Sequence, residues 1–304
     1  MTGNIAKSAV IEFSTSVNQL AQQRKSNAFD KVMVTRGHRG KKVEATKQVG
    51  ISSMMVGEVR HGDTVIGNID HLARWMTFET FSDAQLLGIA DTLQTNVNFL
   101  SSYLQSMSSA YARTLDKVVV DAVLTDSALT GEQGNTSTPF NPNNIVDVTE
   151  GSGTSQTGLN QGKLVKIEEI IYSSGIDMSE KIYVGITARQ RRDLQGIEQV
   201  TNIDYNSIKP LATGTIQSWS NLIFVPMEGT AALDIIPKDS VTGYRQLPCW
   251  TKSSIELGIQ EDFSARVGER NDKNHATQIY VRGMAGATRL EESLVGMILC
   301  NEAN

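Results

Sequence analysis

Apolar residues in 5–22 fall at Ala6, Val10, Phe13, Val17 and Leu20, spaced to share one helical face. A lone helix of this length buries such a face only by docking on the body or on another subunit. From 30 to 72 the pattern changes. Lys31-Val-Met-Val-Thr is β-rich, and the glycines at 37, 40, 50, 57, 62 and 67 punctuate an extended chain with few large apolar residues. His61-Gly62-Asp63 predicts a hairpin turn between Val56–Arg60 and Thr64–Ile66. A hairpin with so little core is marginal alone and needs neighbours.

Residues 74–81 alternate as a strand. Ser82 and Gln85 then form a capping box, which predicts a short helix starting at Asp83 and weakening near Gly88. A much longer helix follows. Leu93, Val97, Leu100, Leu104, Met107, Tyr111, Leu115, Val118 and Ala122 keep helical spacing, and neither Gly nor Pro interrupts 89–124. At about 1.5 Å per residue this helix spans roughly 45 to 50 Å, some three times the average of globular domains. Next comes a polar stretch. Of the 38 residues in 125–162, 24 are Gly, Ser, Thr, Asn or Pro, which predicts a flexible excursion or a surface ordered by a partner.

The C-terminal half reads as α+β. A helix over 163–174 ends at Gly175, a strand covers 181–187, and a short helix covers 188–194. A strand over 222–226 stops at proline. Further strands are expected at 244–250, 254–259, 277–283 and 294–300, the last apolar enough to be covered on both faces. The lobes should be interleaved, since neither an internal repeat nor a clean linker separates them.

Composition narrows the class. With 304 residues, 39% hydrophobic and 20% charged, the chain is globular and large enough for one or two domains. No run of eighteen apolar residues predicts a membrane span, and the start, Met1-Thr-Gly-Asn-Ile-Ala-Lys-Ser, has no apolar signal-peptide core. Cys249 and Cys300 are expected to be buried thiols rather than a redox pair. The net charge of −5 is uneven: residues 1–48 hold nine bases and three acids, a net +6, which leaves −11 for the rest. A basic arm on an acidic body predicts contact with an acidic neighbour or a polyanion. Arg24, Lys25, Arg39, Lys41, Lys42 and, in the hairpin, Arg60 are the candidate intersubunit contacts.

Catalytic patterns are missing. Gly151-Ser-Gly-Thr-Ser-Gln-Thr-Gly lacks the Lys-Ser/Thr of a phosphate loop, the four histidines share no metal-ligand spacing, and Gly-x-Ser-x-Gly does not occur. Arg189, Arg191 and Arg192 read as a solvated face. No catalytic, cofactor-binding or metal residue is assigned, and no cofactor is expected.

Ala112-Arg-Thr-Leu-Asp-Lys-Val-Val-Val-Asp-Ala-Val-Leu124 at the end of the long helix resembles the spine helix of tailed-phage major capsid proteins with the Hong Kong 97 fold. Gly214-Thr-Ile-Gln-Ser-Trp-Ser-Asn-Leu-Ile-Phe-Val resembles the strand-turn-strand of that family's axial domain. The passage from Glu269 to Ala287 resembles its closing peripheral strands. The order of parts carries the resemblance, which covers nearly the whole chain. It implies an α+β fold divided into a 1–35 N-terminal arm, a 36–75 extended loop (the E-loop), a peripheral domain of 76–160 and 244–286 that includes spine helix 89–124, and an axial domain of 161–243 and 287–304. It implies a non-enzymatic, self-assembling subunit of an icosahedral head that encloses double-stranded DNA, built as hexamers and pentamers. The implied partners are a separate scaffolding protein, because the arm starts almost at Met1 with no cleaved helical extension, a portal and packaged DNA held without sequence specificity; whether a cement protein decorates the shell is left open by the sequence. No membrane is involved. Synthesis is expected in the bacterial cytoplasm and residence in the virion. The competing classes are a cytoplasmic enzyme with an unrecognised site and another phage subunit of the tail or portal.

Overall fold

The computed structural model describes residues 23–50, 52, 69, 71–88, 99–125, 128–131, 133–197, 218–228 and 233–302, with side chains at 99 and 100 excepted. The expected helix over 5–22, the 61–63 turn and the first ten positions of the long helix lie outside the described residues.

The chain builds two layered lobes around one spanning helix, α1 (Phe99–Leu124). The first lobe rests on a long hairpin, β14 (Ile255–Arg270) with β15 (Ala276–Arg289). Strand β6 (Glu79–Leu87) pairs antiparallel with β15, and β1 (Met33–Arg36) pairs parallel with β14, giving the order β1-β14-β15-β6. The second lobe is a six-stranded sheet: β11 (Ser218–Trp219), β12 (Leu222–Pro226), β10 (Ile182–Ile186), β13 (Tyr244–Thr251), β16 (Val295–Asn301) and β9 (Ile145–Val146), in that order. Helix α2 (Gln161–Tyr172) packs on it through Leu164, Ile167 and Ile171, all fully buried. Helix α3 (Ala188–Gln195) follows β10 directly, and its Leu194 enters the same core. A third sheet joins β2 (Lys42–Glu44), β5 (Arg74–Thr77), β7 (Ala128–Thr130) and β8 (Thr136–Thr138), and β3 (Gln48–Val49) pairs with β4 (His71–Leu72) beside it.

Helix α1 serves both lobes. Val119, Val120, Val123 and Leu124 enter the main core with Trp250, Leu257 and the strands of the six-stranded sheet. One end earlier, Met107 packs with Leu87, Ile279 and Val281 over the long hairpin. Tyr111 lies directly on the hairpin backbone: a Cβ at Gly283 would sit 2.4 Å from its ring. The small residue is what lets the helix approach.

Three expectations change. The capping-box helix at 83 is strand β6, paired with Thr277–Ala285 along its whole length. A capping box contributes about 1 kcal/mol, which a nine-residue sheet ladder outweighs. The boundary at 244 would cut the six-stranded sheet, since β13 hydrogen-bonds both β10 and β16, and β9 from the polar stretch closes its edge. Residues 244–251 and 145–146 therefore group with the second lobe. The described residues of the polar stretch, expected to be a flexible excursion or a surface ordered by a partner, pack on the body of the same chain. The body orders it through β7, β8, β9 and side-chain bonds, including Asn144 Nδ2 to the carbonyls of Glu292 at 2.7 Å and Val295 at 2.9 Å. Gly151 and Gly162 pass so closely that a Cβ at 162 would lie 2.6 Å from the Gly151 Cα. The hairpin strands also run past the expected 254–259 and 277–283: β14 continues to Arg270 through a largely exposed outer half, and β15 continues to Arg289 through the buried Ala285, Thr288 and Arg289.

Leu104 is half-buried against the cluster that buries Met107. Met107→Ala should destabilise the unassembled subunit by about 2–4 kcal/mol and Leu104→Ala by about half of that. Reversible urea melts of dilute, unassembled chain check the order; equal losses would contradict it.

Candidate intersubunit surfaces and the clamps that position them

The six candidate cations do not form one site. Arg24 and Lys25 are exposed on the segment that leads into β1. Arg39 and Lys41 are exposed on the link from β1 to β2, where the left-handed backbone at Gly37 and Gly40 turns the chain. Among the described residues none of these four forms an ion pair. Lys42 differs: its Nζ donates to the Gly134 carbonyl at 3.0 Å and ties β2 to the β7–β8 turn. Arg60 lies outside the described residues. The β3–β4 pair adds apolar surface, with Val49 and Leu72 more than half exposed. These two sit on the β3–β4 pair, which has no buried residue of its own.

Each surface is positioned by a buried charged side chain that the sequence reading missed. Glu256 is buried on β14 and accepts from Thr35 Oγ1 at 2.8 Å and the Thr46 amide at 2.9 Å, which fixes both ends of the link carrying Arg39 and Lys41. Arg289 is fully buried at the end of α1, where it donates to the carbonyls of Val123 (3.1 Å), Thr125 and Thr138 (3.0 Å). A cation bonded to the last carbonyls of a helix also complements its dipole. Arg289 pairs with Glu292 at 2.8 Å, and Glu292 pairs in turn with Arg74 of β5 at 3.5 Å. Arg74 completes the cluster by donating to the Leu290 carbonyl at 3.0 Å and Thr138 Oγ1 at 3.2 Å. Helix end, polar stretch and β5 thus meet at one cluster.

Two further clamps hold the second lobe. Lys163 Nζ donates to the carbonyls of Thr157, Gly158 and Leu299 at 2.8, 2.9 and 2.9 Å. Burial pushes its ammonium below the usual lysine range, partly offset by Cys300 and the more distant Asp147, Asp193 and Glu150. Glu302 accepts from Gln190 Nε2 at 2.7 Å and from Arg245 Nη2 at 3.0 Å, which pins the end of the described chain to α3 and β13. Burial pushes the Glu302 carboxyl up, but the Arg245 and Gln190 bonds outweigh it and hold the group below the ordinary range.

The sequence held a signal for these groups. Asp116, buried on α1, lies one turn before Val119 and Val120 on the same face, so it is an acid within an apolar stripe. Among the described residues no cluster of His, Cys, Asp and Glu is arranged to hold a metal, and no helix is long and apolar enough to cross a membrane.

A family model described as phage capsid protein matches residues 5–302 of the chain. The capsid structure of cyanophage P-SCSP1u is similar at 15% identity, covering 99% of this chain and 96% of that one, with a TM-score of 0.70. The head structure of Helicobacter pylori bacteriophage KHP40 is similar at 12% identity, 98% of each chain and a TM-score of 0.70. The capsid of Ralstonia phage GP4 is similar at 9% identity, over 98% of this chain and 96% of that one, with a TM-score of 0.64. At such identities the likeness is one of fold, and that fold is Hong Kong 97-like. No curated protein matches the chain.

A carboxylate held below its ordinary range stabilises the fold above that range, and the contribution disappears as pH falls through the lowered value. Glu302→Gln should therefore melt below the parent at pH 6, with the gap narrowing as the pH falls below the ordinary glutamate range and the parent's Glu302 takes up its proton. Melting temperatures from pH 3 to 6 check this; a gap constant over that range would contradict it.

Proposed function

The chain belongs to the phage capsid protein family, and from that premise we propose that it is the major capsid protein of a tailed phage, tiling an icosahedral head around double-stranded DNA. The observation that carries this reading is the agreement of fold with solved phage capsid and head structures over nearly the entire chain. The subunit works by position, with no reaction of its own. It resides in the virion after synthesis in the host cytoplasm, and it assembles as hexamers and pentamers with a separate scaffolding protein and a portal. Packaged DNA meets its inner face without sequence readout.

The division of labour follows the two lobes. The long hairpin and α1 form the peripheral domain, and the six-stranded sheet with α2 and α3 forms the axial domain. The E-loop over 36–75 lies across an adjacent subunit, which covers Val49 and Leu72. Its root is part of the body: Ala45 packs with Met76 and Leu290. A deletion confined to 50–69 should accordingly leave a soluble, folded chain that no longer forms shells. Electron microscopy of the variant, co-expressed with the neighbouring phage genes, tests the reading. Shells of parental form from this variant would refute it.

Arg24, Lys25, Arg39, Lys41 and Arg60 make electrostatic contacts with the acidic bodies of neighbours, whereas Lys42 is engaged at home. Exposed pairs are screened over about 8–10 Å near physiological ionic strength. Replacing Arg39 and Lys41 by Gln should slow assembly at low salt and leave little difference from the parent at high salt. Light scattering across a salt series reads this out, and equal assembly at every concentration would show that these two bases are merely solvated.

A further inference from the structure

Residues 23–36 form a strap that crosses both lobes. Asn27 Nδ2 donates to the Pro226 carbonyl of β12 at 2.6 Å, Trp250 Nε1 of β13 donates to the Lys31 carbonyl at 3.0 Å, and β1 then joins β14. The strap's apolar contacts begin only at Ala28: Ala28 and Val32 are buried, and Phe29, Met33 and Val34 are half-buried against the hydrophobic clusters. Its first half converges instead on Asp116 of α1. One carboxylate oxygen accepts from Ser26 Oγ at 2.5 Å and the Ala28 amide at 3.0 Å. The other accepts from Gln23 Nε2 and, at 3.2 Å, the Asn27 amide. One turn earlier on the helix, Arg113 donates to the Gln23 carbonyl at 3.1 Å.

Every group that meets Asp116 from the strap is a donor, two for each oxygen. Only a carboxylate accepts from all of them, because an amide would aim its own N–H groups at two of these donors. Side chain and strap are therefore mutually dependent: the buried carboxylate needs the strap, and the strap has no comparable anchor before Lys31. We infer that Asp116 is a positioning residue that fixes where the N-terminal arm leaves the body, so that 1–22 starts from one place on every subunit. With the anchor intact, the arm is presented at high effective concentration to the next subunit. With the anchor lost, the arm hangs on a longer tether and its contacts become less frequent. The anchor stands on the geometry of this chain, and the effect on assembly rests on the shell reading above.

The test uses the full chain with Asp116→Asn. Arg24 and Lys25 are exposed beside the anchor, so trypsin reports release of the strap. The expected result on unassembled chain is cleavage after Arg24 and Lys25 at least about tenfold faster than in the parent, with cleavage after Lys31, whose carbonyl Trp250 still holds, no faster than in the parent. Assembly, followed by light scattering, should then need a severalfold higher subunit concentration. Unchanged cleavage would overturn the anchor, and faster cleavage with parental assembly would overturn its role in presenting the arm. If Asp116→Asn does not fold, the pair Gln23→Ala and Ser26→Ala removes two donors from the strap side and is judged by the same two readouts. A parental chain that never assembles would sink the shell reading, while the cleavage rates would still decide the anchor.

Discussion

A charged side chain taken out of water has to find all its partners together, because a half-satisfied buried charge costs more than an apolar residue in the same place. Asp116, Glu256, Arg289 and Lys163 are each nearly or wholly buried, and each bonds to backbone from a segment with little hydrophobic content. Asp116 holds the strap, Glu256 both ends of the link between β1 and β2, Arg289 the polar stretch and the end of α1, and Lys163 the chain before α2. Two apolar lobes form the core. The extended pieces around them are attached through charges, in geometries that permit one register each.

That economy suits a shell subunit. Segments meant to reach neighbours cannot carry much apolar surface of their own without aggregating as free chains. Polar, glycine-rich segments avoid that hazard, yet hydrophobic burial alone cannot place them. Buried charges place their roots, while the exposed parts, Val49, Leu72 and the cations at 24, 25, 39 and 41, face outward. The contacts between subunits can then be individually weak, since closure of a lattice multiplies them.

Periodicity made the regular elements legible. The heptad-like run that ends at Ala122 marks α1, and the apolar stretch at 294–300 marks β16, because burial on a helix face or between two layers leaves a pattern in the sequence. Order of elements made the fold legible as well. Three things were hidden. The local capping signal at Ser82 competes with a ladder whose partner lies some two hundred residues away, so strand β6 could not be read locally. The composition of 125–162 signals looseness, whereas its order comes from distant groups such as Arg289 and the carbonyls of Glu292 and Val295. The boundary at 244 failed because β13 belongs to its sheet through pairing with β10 and β16, which a linear reading does not display.

The central claim is that neighbours complete the surface of a body already fixed by its own buried charges. A high-resolution electron microscopy reconstruction of particles made by the full chain with its neighbouring phage genes tests it most directly. The account predicts a closed shell in which an adjacent subunit covers Val49 and Leu72, while the bonds of Asp116 to the strap and of Arg289 to Thr138 remain as they are in the single chain. A chain that stays as single copies, or a shell in which those buried bonds are broken and remade between subunits, would contradict it.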